Sequence, residues 1–154
     1  MNVFLADEQA EPVETASLVA MAERVLVAEG IPDHAELAIV LVGEDEMAGY
    51  NQRFMERRGP TDVLAFPVDQ FIPGQIPTTI ANGPPLSLGD IFICPRTVIR
   101  QARERGVSVG DEMALIVTHG ILHLLGYDHA EPGDATTMSA RERELLRKEG
   151  IELP

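Results

Sequence analysis

Eleven residues, His119 to His129, constrain this chain more than any other stretch, because they put three imidazoles within reach of one small cation. Around the first two, from Asp111 to Leu125, the residues Met113, Ala114, Leu115, Ile116, Val117, Ile121, Leu122, Leu124 and Leu125 are apolar nearly all the way round, the pattern of a buried helix. On such a helix His119 and His123, at i and i+4, lie one above the other with Cβ atoms about 5–6 Å apart. Gly126 follows three residues later, where helices commonly end in a left-handed residue that glycine adopts without steric cost. The turn it opens carries His129 back toward the pair. Three nitrogen ligands result, with a fourth tetrahedral position left for water, and that open position separates a catalytic zinc site from a structural one. Zinc is the first choice for an all-imidazole set, although nickel, copper and iron also accept it.

The spacing H-x-x-x-H-x-x-G-x-x-H is shared with metzincin proteases, in which a Glu after the first His serves as general base. Gly120 stands at that place here, so peptide hydrolysis lacks its usual proton acceptor. Candidate carboxylates elsewhere are Asp128, beside the last histidine, and Asp62 and Asp90, at the starts of two strands. Asp128 either orients an imidazole from behind or caps the turn. Asp62 and Asp90 either stabilise turns or enter the chemistry.

Around this centre the chain alternates short strands and helices. Asn2 to Ala6 reads as a strand, and a helix opens at Pro12 and Glu14 and stops at Gly30, with Leu18, Val19, Ala22, Val25 and Leu26 at helical spacing. The β-branched run Glu36 to Val42 is a strand, followed by a helix from Glu44 to Phe54 with acids in its first turn. Arg53, Arg57 and Arg58 gather at the end of that helix, either as solvated cations favoured by its dipole or as phosphate contacts. Asp62 to Phe66 and Leu88 to Cys94 are strands stopped by prolines. The Pro- and Gly-rich stretch between them, 69–86, predicts a flexible flap near the site. Arg96, Arg100 and Arg103 share one face of a helix from Arg96 to Gly106, either as solvated surface or as a track for a polyanion leading to the metal. An amphipathic helix from Asp134 to Glu149 closes the chain. Four strands and about five helices in mixed order predict an α+β fold, a small mixed four-stranded sheet packed with helices, of which the histidine-bearing one is central and buried.

With 154 residues, 45% of them hydrophobic, one domain spanning 1–154 and one core are expected. The first residues lack a basic n-region, and no stretch approaches the roughly eighteen apolar residues of a membrane span, so a cytoplasmic location with no membrane partner is expected. The single cysteine, Cys94, cannot form an internal disulfide and sits in an apolar run as a small buried hydrophobe. A net charge of −13 opposes tight, nonspecific binding to nucleic acid. The burden is uneven: residues 1–52 hold eleven acids against one base, a balance of −10, whereas residues 53–105 hold seven arginines against five acids, for +2. Brief engagement of RNA, or recruitment by a protein partner, suits such a surface; DNA is not expected.

The stretch H-G-I-L-H-L-L-G-Y-D-H resembles, without a break, the H-G-x-x-H-L-x-G-Y-D-H signature of the YbeY family of bacterial rRNA-maturation endoribonucleases. Gly59-Pro60-Thr61-Asp62-Val63-Leu64-Ala65-Phe66-Pro67 resembles that family's P-T-(D/N)-V-L-S-F-P segment, with Ala65 for the usual serine, and Leu88-Gly89-Asp90-Ile91 resembles its L-G-D-I segment. The resemblance implies a zinc-dependent endoribonuclease that cuts single-stranded RNA in rRNA maturation and in ribosome biogenesis or quality control. It implies one Zn²⁺ on His119, His123 and His129, with rRNA precursor and ribosomal or assembly proteins as partners. This chain departs from the family at Phe54-Met55, where Tyr-Arg is common and the arginine belongs to the active site. No catalytic arginine is carried over to Met55; Arg53, Arg57 or Arg58 would have to replace it. Two rival functions stay open: a metallohydrolase of amides or small molecules drawing its base from Asp62, Asp90 or Asp128, and a non-catalytic ribosome-assembly factor in which the metal only holds the turn against the helix.

Overall fold

A computed structural model describes residues 1–75, 84–128 and 131–154. Strands β1 (Asn2–Glu8) and β2 (Ala35–Val42) pair in parallel, and a parallel pair needs a crossover, which α1 (Thr15–Ala28) supplies. Helix α2 (Glu44–Met55) leads to β3 (Val63–Pro67), and β4 (Leu86–Ile93) inserts between β2 and β3, parallel to the first and antiparallel to the second. The order is β1-β2-β4-β3, which leaves β3 at an edge, where Pro67 can end a strand without costing a ladder bond. Helices α3 (Pro95–Arg105), α4 (Val109–Leu124) and α5 (Pro132–Lys148) follow. Among the described residues the fold is the expected α+β one, a four-stranded mixed sheet with five helices.

Successive strand side chains point to opposite faces, so the sheet has two differently furnished sides. Leu37, Ile39, Leu41, Ile91 and Ile93 join the main core with Ala22 and Leu26 of α1, with Ile121 and Leu122 of α4, and with Met138 and Leu145 of α5. Ala22 is fully buried and has only a methyl group to place, so α1 approaches this core closely. Val42, Met47, Leu64 and Cys94 form a smaller cluster on the other side, flanked by Val40, Tyr50, Phe66 and Phe92 beneath α2. Cys94 is buried and free there.

Helix α4 runs over the larger core. Ser108 caps its N-terminus by accepting a hydrogen bond from the Asp111 N–H at 3.1 Å, and Asp111 and Glu112 in the first turn complement the dipole. Ile121, Leu122 and Leu124 are almost wholly buried, and each such side chain stabilises the fold by about 1.5–3 kcal/mol. Gly120 lets the helix lie close to the sheet: a Cβ there would sit 3.0 Å from Ile91 Cγ2 and 3.3 Å from Val63 Cγ2. After Leu124 the Gly126 N–H donates to the His123 carbonyl and the Tyr127 N–H to the Leu122 carbonyl, while Gly126 takes φ +99°.

Helix α5 is clamped to α1 through Arg141, which donates to the Glu29 carboxylate and, at 3.2 Å, to the Ala28 carbonyl. Burial alone would lower the Arg141 pKa, yet the Glu29 and Glu144 carboxylates raise it above its usual value. Of the flap expected over 69–86, residues 76–83 lie outside the described residues. The part before them brings Phe71 against the Gly126 turn. Among the described residues no helix is long and apolar enough to cross a membrane.

Candidate functional site

His119 and His123 project from the same side of α4, half-buried, with ring centroids 4.5 Å apart and planes at 78°. Their Nε2 atoms face each other at 3.0 Å. On its far side, His119 Nδ1 meets Oε1 of Glu142 from α5. A carboxylate only accepts, so Nδ1 carries the proton and the Nε2 lone pair is turned toward His123. Two neutral ring nitrogens this close need either a proton or a cation between them. Two tetrahedral zinc–nitrogen bonds of about 2.0–2.1 Å span roughly 3.3 Å, so the pair fits a zinc ion with little adjustment.

Gly126 takes the expected left-handed conformation, and Asp128 is exposed two residues on. His129, the expected third nitrogen, lies outside the described residues. Among the described residues no three His, Cys, Asp or Glu side chains close on one point.

His119 and Glu142 open onto a cleft of about 440 Å³, which Asp62, Arg105 and Glu112 also line. Asp62 Oδ1 accepts from the Val63 N–H at 2.7 Å and from Thr61 Oγ1 at 3.3 Å, so this carboxylate stabilises its turn and also borders the cleft. Arg105 donates to Glu112 at 3.0 Å. The Glu112 side chain is only 1% exposed, and its Oε2 has no hydrogen-bond partner among the described residues. A second cavity, about 300 Å³ and largely apolar, lies among α1, α3 and α4 and carries none of the candidate residues.

Other sequence candidates fall away from this cleft. Asp90 is exposed and in register with Phe66, on the sheet face opposite that of its neighbour Ile91, which packs against α4. Arg57 and Arg58 are exposed on the connection between α2 and β3 and do not line the cleft. Met55 is exposed too, beside Phe54, whose ring packs edge-on against Phe66. Arg96, Arg100 and Arg103 are exposed, and Arg100 pairs with Glu44 of α2. The arginine that does reach the cleft, Arg105, is not among the sequence candidates, nor are Glu112 and Glu142. Glu112 stands seven residues before His119, two helical turns back on the same stripe, and that spacing is a usable signal. Nothing local marks Glu142, whose partner is 23 residues away.

Residues 4–150 match the model of the family described as Endoribonuclease YbeY. An Endoribonuclease YbeY of Mycolicibacterium gilvum is 42% identical over 148 residues, covering 96% of this chain and 83% of that protein. One from Thermobifida fusca is 44% identical over 146 residues, covering 95% of this chain and 92% of its own length. The solution structure of a protein from Thermotoga maritima superposes with a TM-score of 0.61 at 28% identity, covering 95% of this chain and 87% of that one. With a family match over nearly its whole length and relatives above two-fifths identity, the chain belongs to the endoribonuclease YbeY family of RNA-cleaving hydrolases.

Proposed function

We propose that this endoribonuclease cuts single-stranded RNA during ribosomal RNA maturation in the cytoplasm, with one zinc ion held by His119, His123 and His129 of a single domain spanning 1–154. The observation that carries the reading is the facing Nε2 pair, 3.0 Å apart at the edge of a cleft. Zinc, when bound there, supplies Lewis-acid stabilisation for the negative charge that builds on the phosphoryl oxygens. The chain's own groups do the rest. Glu142 holds His119, and Arg105, steadied by Glu112, offers the cleft a cation for a phosphate oxygen. Asp62 is a carboxylate on the same cleft that can accept a proton.

At the position of the metzincin base an added Cβ would sit 3.0 Å from Ile91 and 3.3 Å from Val63, and Gly120 stands there without a side chain. An amide hydrolase would therefore have to draw its base from elsewhere, and of its three candidate carboxylates Asp62 lines the cleft. The strongly acidic first 52 residues suit a ribosomal or assembly protein better than RNA, leaving the less acidic remainder to meet the substrate.

The test compares the wild-type chain with His123→Ala for zinc content and for cleavage of single-stranded RNA, with peptide and amide substrates alongside. Wild type is expected to hold about one zinc and to cut RNA alone, and the variant to lose both while staying folded. Zinc retained in the variant would overturn the ligand assignment; amide turnover without RNA cleavage would overturn the reaction.

A further inference from the structure

Helix α5 turns an apolar stripe toward the core, with Met138 and Leu145 both buried, and Glu142 stands between them at i+4 from the first and i−3 from the second. An acid in such a stripe needs a partner, because a carboxylate removed from water is costly unless it is hydrogen-bonded. The Glu142 side chain is 14% exposed, and its Oε1 accepts from His119 Nδ1. The preceding residue, Arg141, ties the same turn of α5 to Ala28 of α1 and to Glu29, which caps that helix. Glu142 is thereby delivered to His119 from a helix that cannot easily rotate.

We propose that Glu142 is the positioning residue of the metal centre: it fixes His119 as the Nδ1–H tautomer, aims the Nε2 lone pair at the point shared with His123, and makes the ring a stronger donor. This role rests on the reading that His119 and His123 hold a metal. Left to itself an imidazole exchanges its proton between two nitrogens and turns about two side-chain bonds. A carboxylate behind it removes both freedoms. Glu142 approaches the ring from the side away from His123, so it acts through His119 and not on the RNA.

The experiment measures zinc affinity by chelator competition and the His119 tautomer by nitrogen NMR, in wild type, Glu142→Gln and Glu142→Ala, with thermal unfolding as the check on folding. Glu142→Ala is expected to lose about 10–100-fold in zinc affinity and to mix tautomers. Glu142→Gln, whose amide oxygen still accepts from Nδ1–H, should keep the tautomer and recover part of the affinity. Zinc affinity within twofold of wild type in folded Glu142→Ala, with His119 still protonated at Nδ1, would overturn the proposal and leave Glu142 a packing residue. A wild-type chain that binds no zinc would instead overturn the metal reading itself.

Discussion

Helices α3 and α4 both carry ionisable side chains at helical spacing, yet those of α4 face each other at the edge of a cleft and the arginine stripe of α3 faces solvent. On α3, Arg96, Arg100 and Arg103 recur at i, i+4 and i+7 and all three face solvent, where Arg100 meets Glu44. On α4, His119 and His123 recur at i and i+4 with their Nε2 atoms facing, and His119 meets Glu142 of α5 where it opens onto the cleft. Spacing decides which side chains share a face, and packing decides what that face meets. The α3 face that reaches the cleft is a different one, carrying Gln101, Glu104 and Arg105.

The contrast breaks most sharply at His119. His119→Ala removes one nitrogen and leaves Glu142 without its partner. We expect loss of bound zinc and a fall in kcat/KM of at least about a thousandfold, equivalent to roughly 4 kcal/mol, read in a single-stranded RNA cleavage assay. A fall of less than tenfold would place His119 outside the chemistry.

The turn beyond α4 comes next. Gly126 has φ +99°, and a Cβ there would run into the Phe71 carbonyl. Gly126→Val combines a left-handed penalty with overpacking, for a destabilisation of about 3 kcal/mol. In a chain of this length that lowers Tm by about 6–12 °C. Because the turn leads to His129, zinc affinity should fall with it; an unchanged Tm would mean that the turn opens freely.

Much of this architecture is legible in the sequence, and the reasons for the rest are physical. Apolar periodicity and terminators such as Gly30, Pro95, Gly106 and Gly126 mark the elements locally, and the helices begin and end within a few residues of those positions. The insertion of β4 between β2 and β3 leaves no local trace, because it follows from how distant segments pack. The same holds for Asp90: alternation along β4 separates it from Ile91, but only the placement of α4 tells which of the two faces the histidines. The paired histidines are readable because both sit on one helix. Glu142 is not, since its meaning depends on a helix that arrives later in the chain.

Arg105 tests what α3 does contribute. Its guanidinium satisfies a carboxylate that is only 1% exposed, and Arg105→Met leaves that charge without its partner. Breaking a buried pair costs about 3–5 kcal/mol, but the Arg105 side chain is 37% exposed and water can reach the vacated place, so about 2 kcal/mol is expected. Adding Glu112→Leu should restore most of the stability. Denaturant unfolding of the single and double variants measures both, and a double variant no more stable than the single one would show that Glu112 is not the source of the loss.

The smallest effect belongs to the arginine stripe, and it sharpens the comparison from the other side. Changing Arg96, Arg100 and Arg103 together to Gln removes three positive charges from a surface whose net charge is already −13. If the stripe guided RNA to the histidines, the KM for RNA would rise steeply and most of all at low salt, since each phosphate contact adds to the salt dependence. The exposed face and the Arg100 pair with Glu44 point the other way. Surface pairs of that kind contribute about 0–1 kcal/mol, so stability should move by no more than that. Cleavage should stay within about twofold of wild type at physiological salt, where a Debye length of about 8 Å largely screens charges that are exposed and away from the cleft. A tenfold rise in KM that vanishes at high salt would restore the stripe as a polyanion track and show that α3, too, serves the substrate through its outer face.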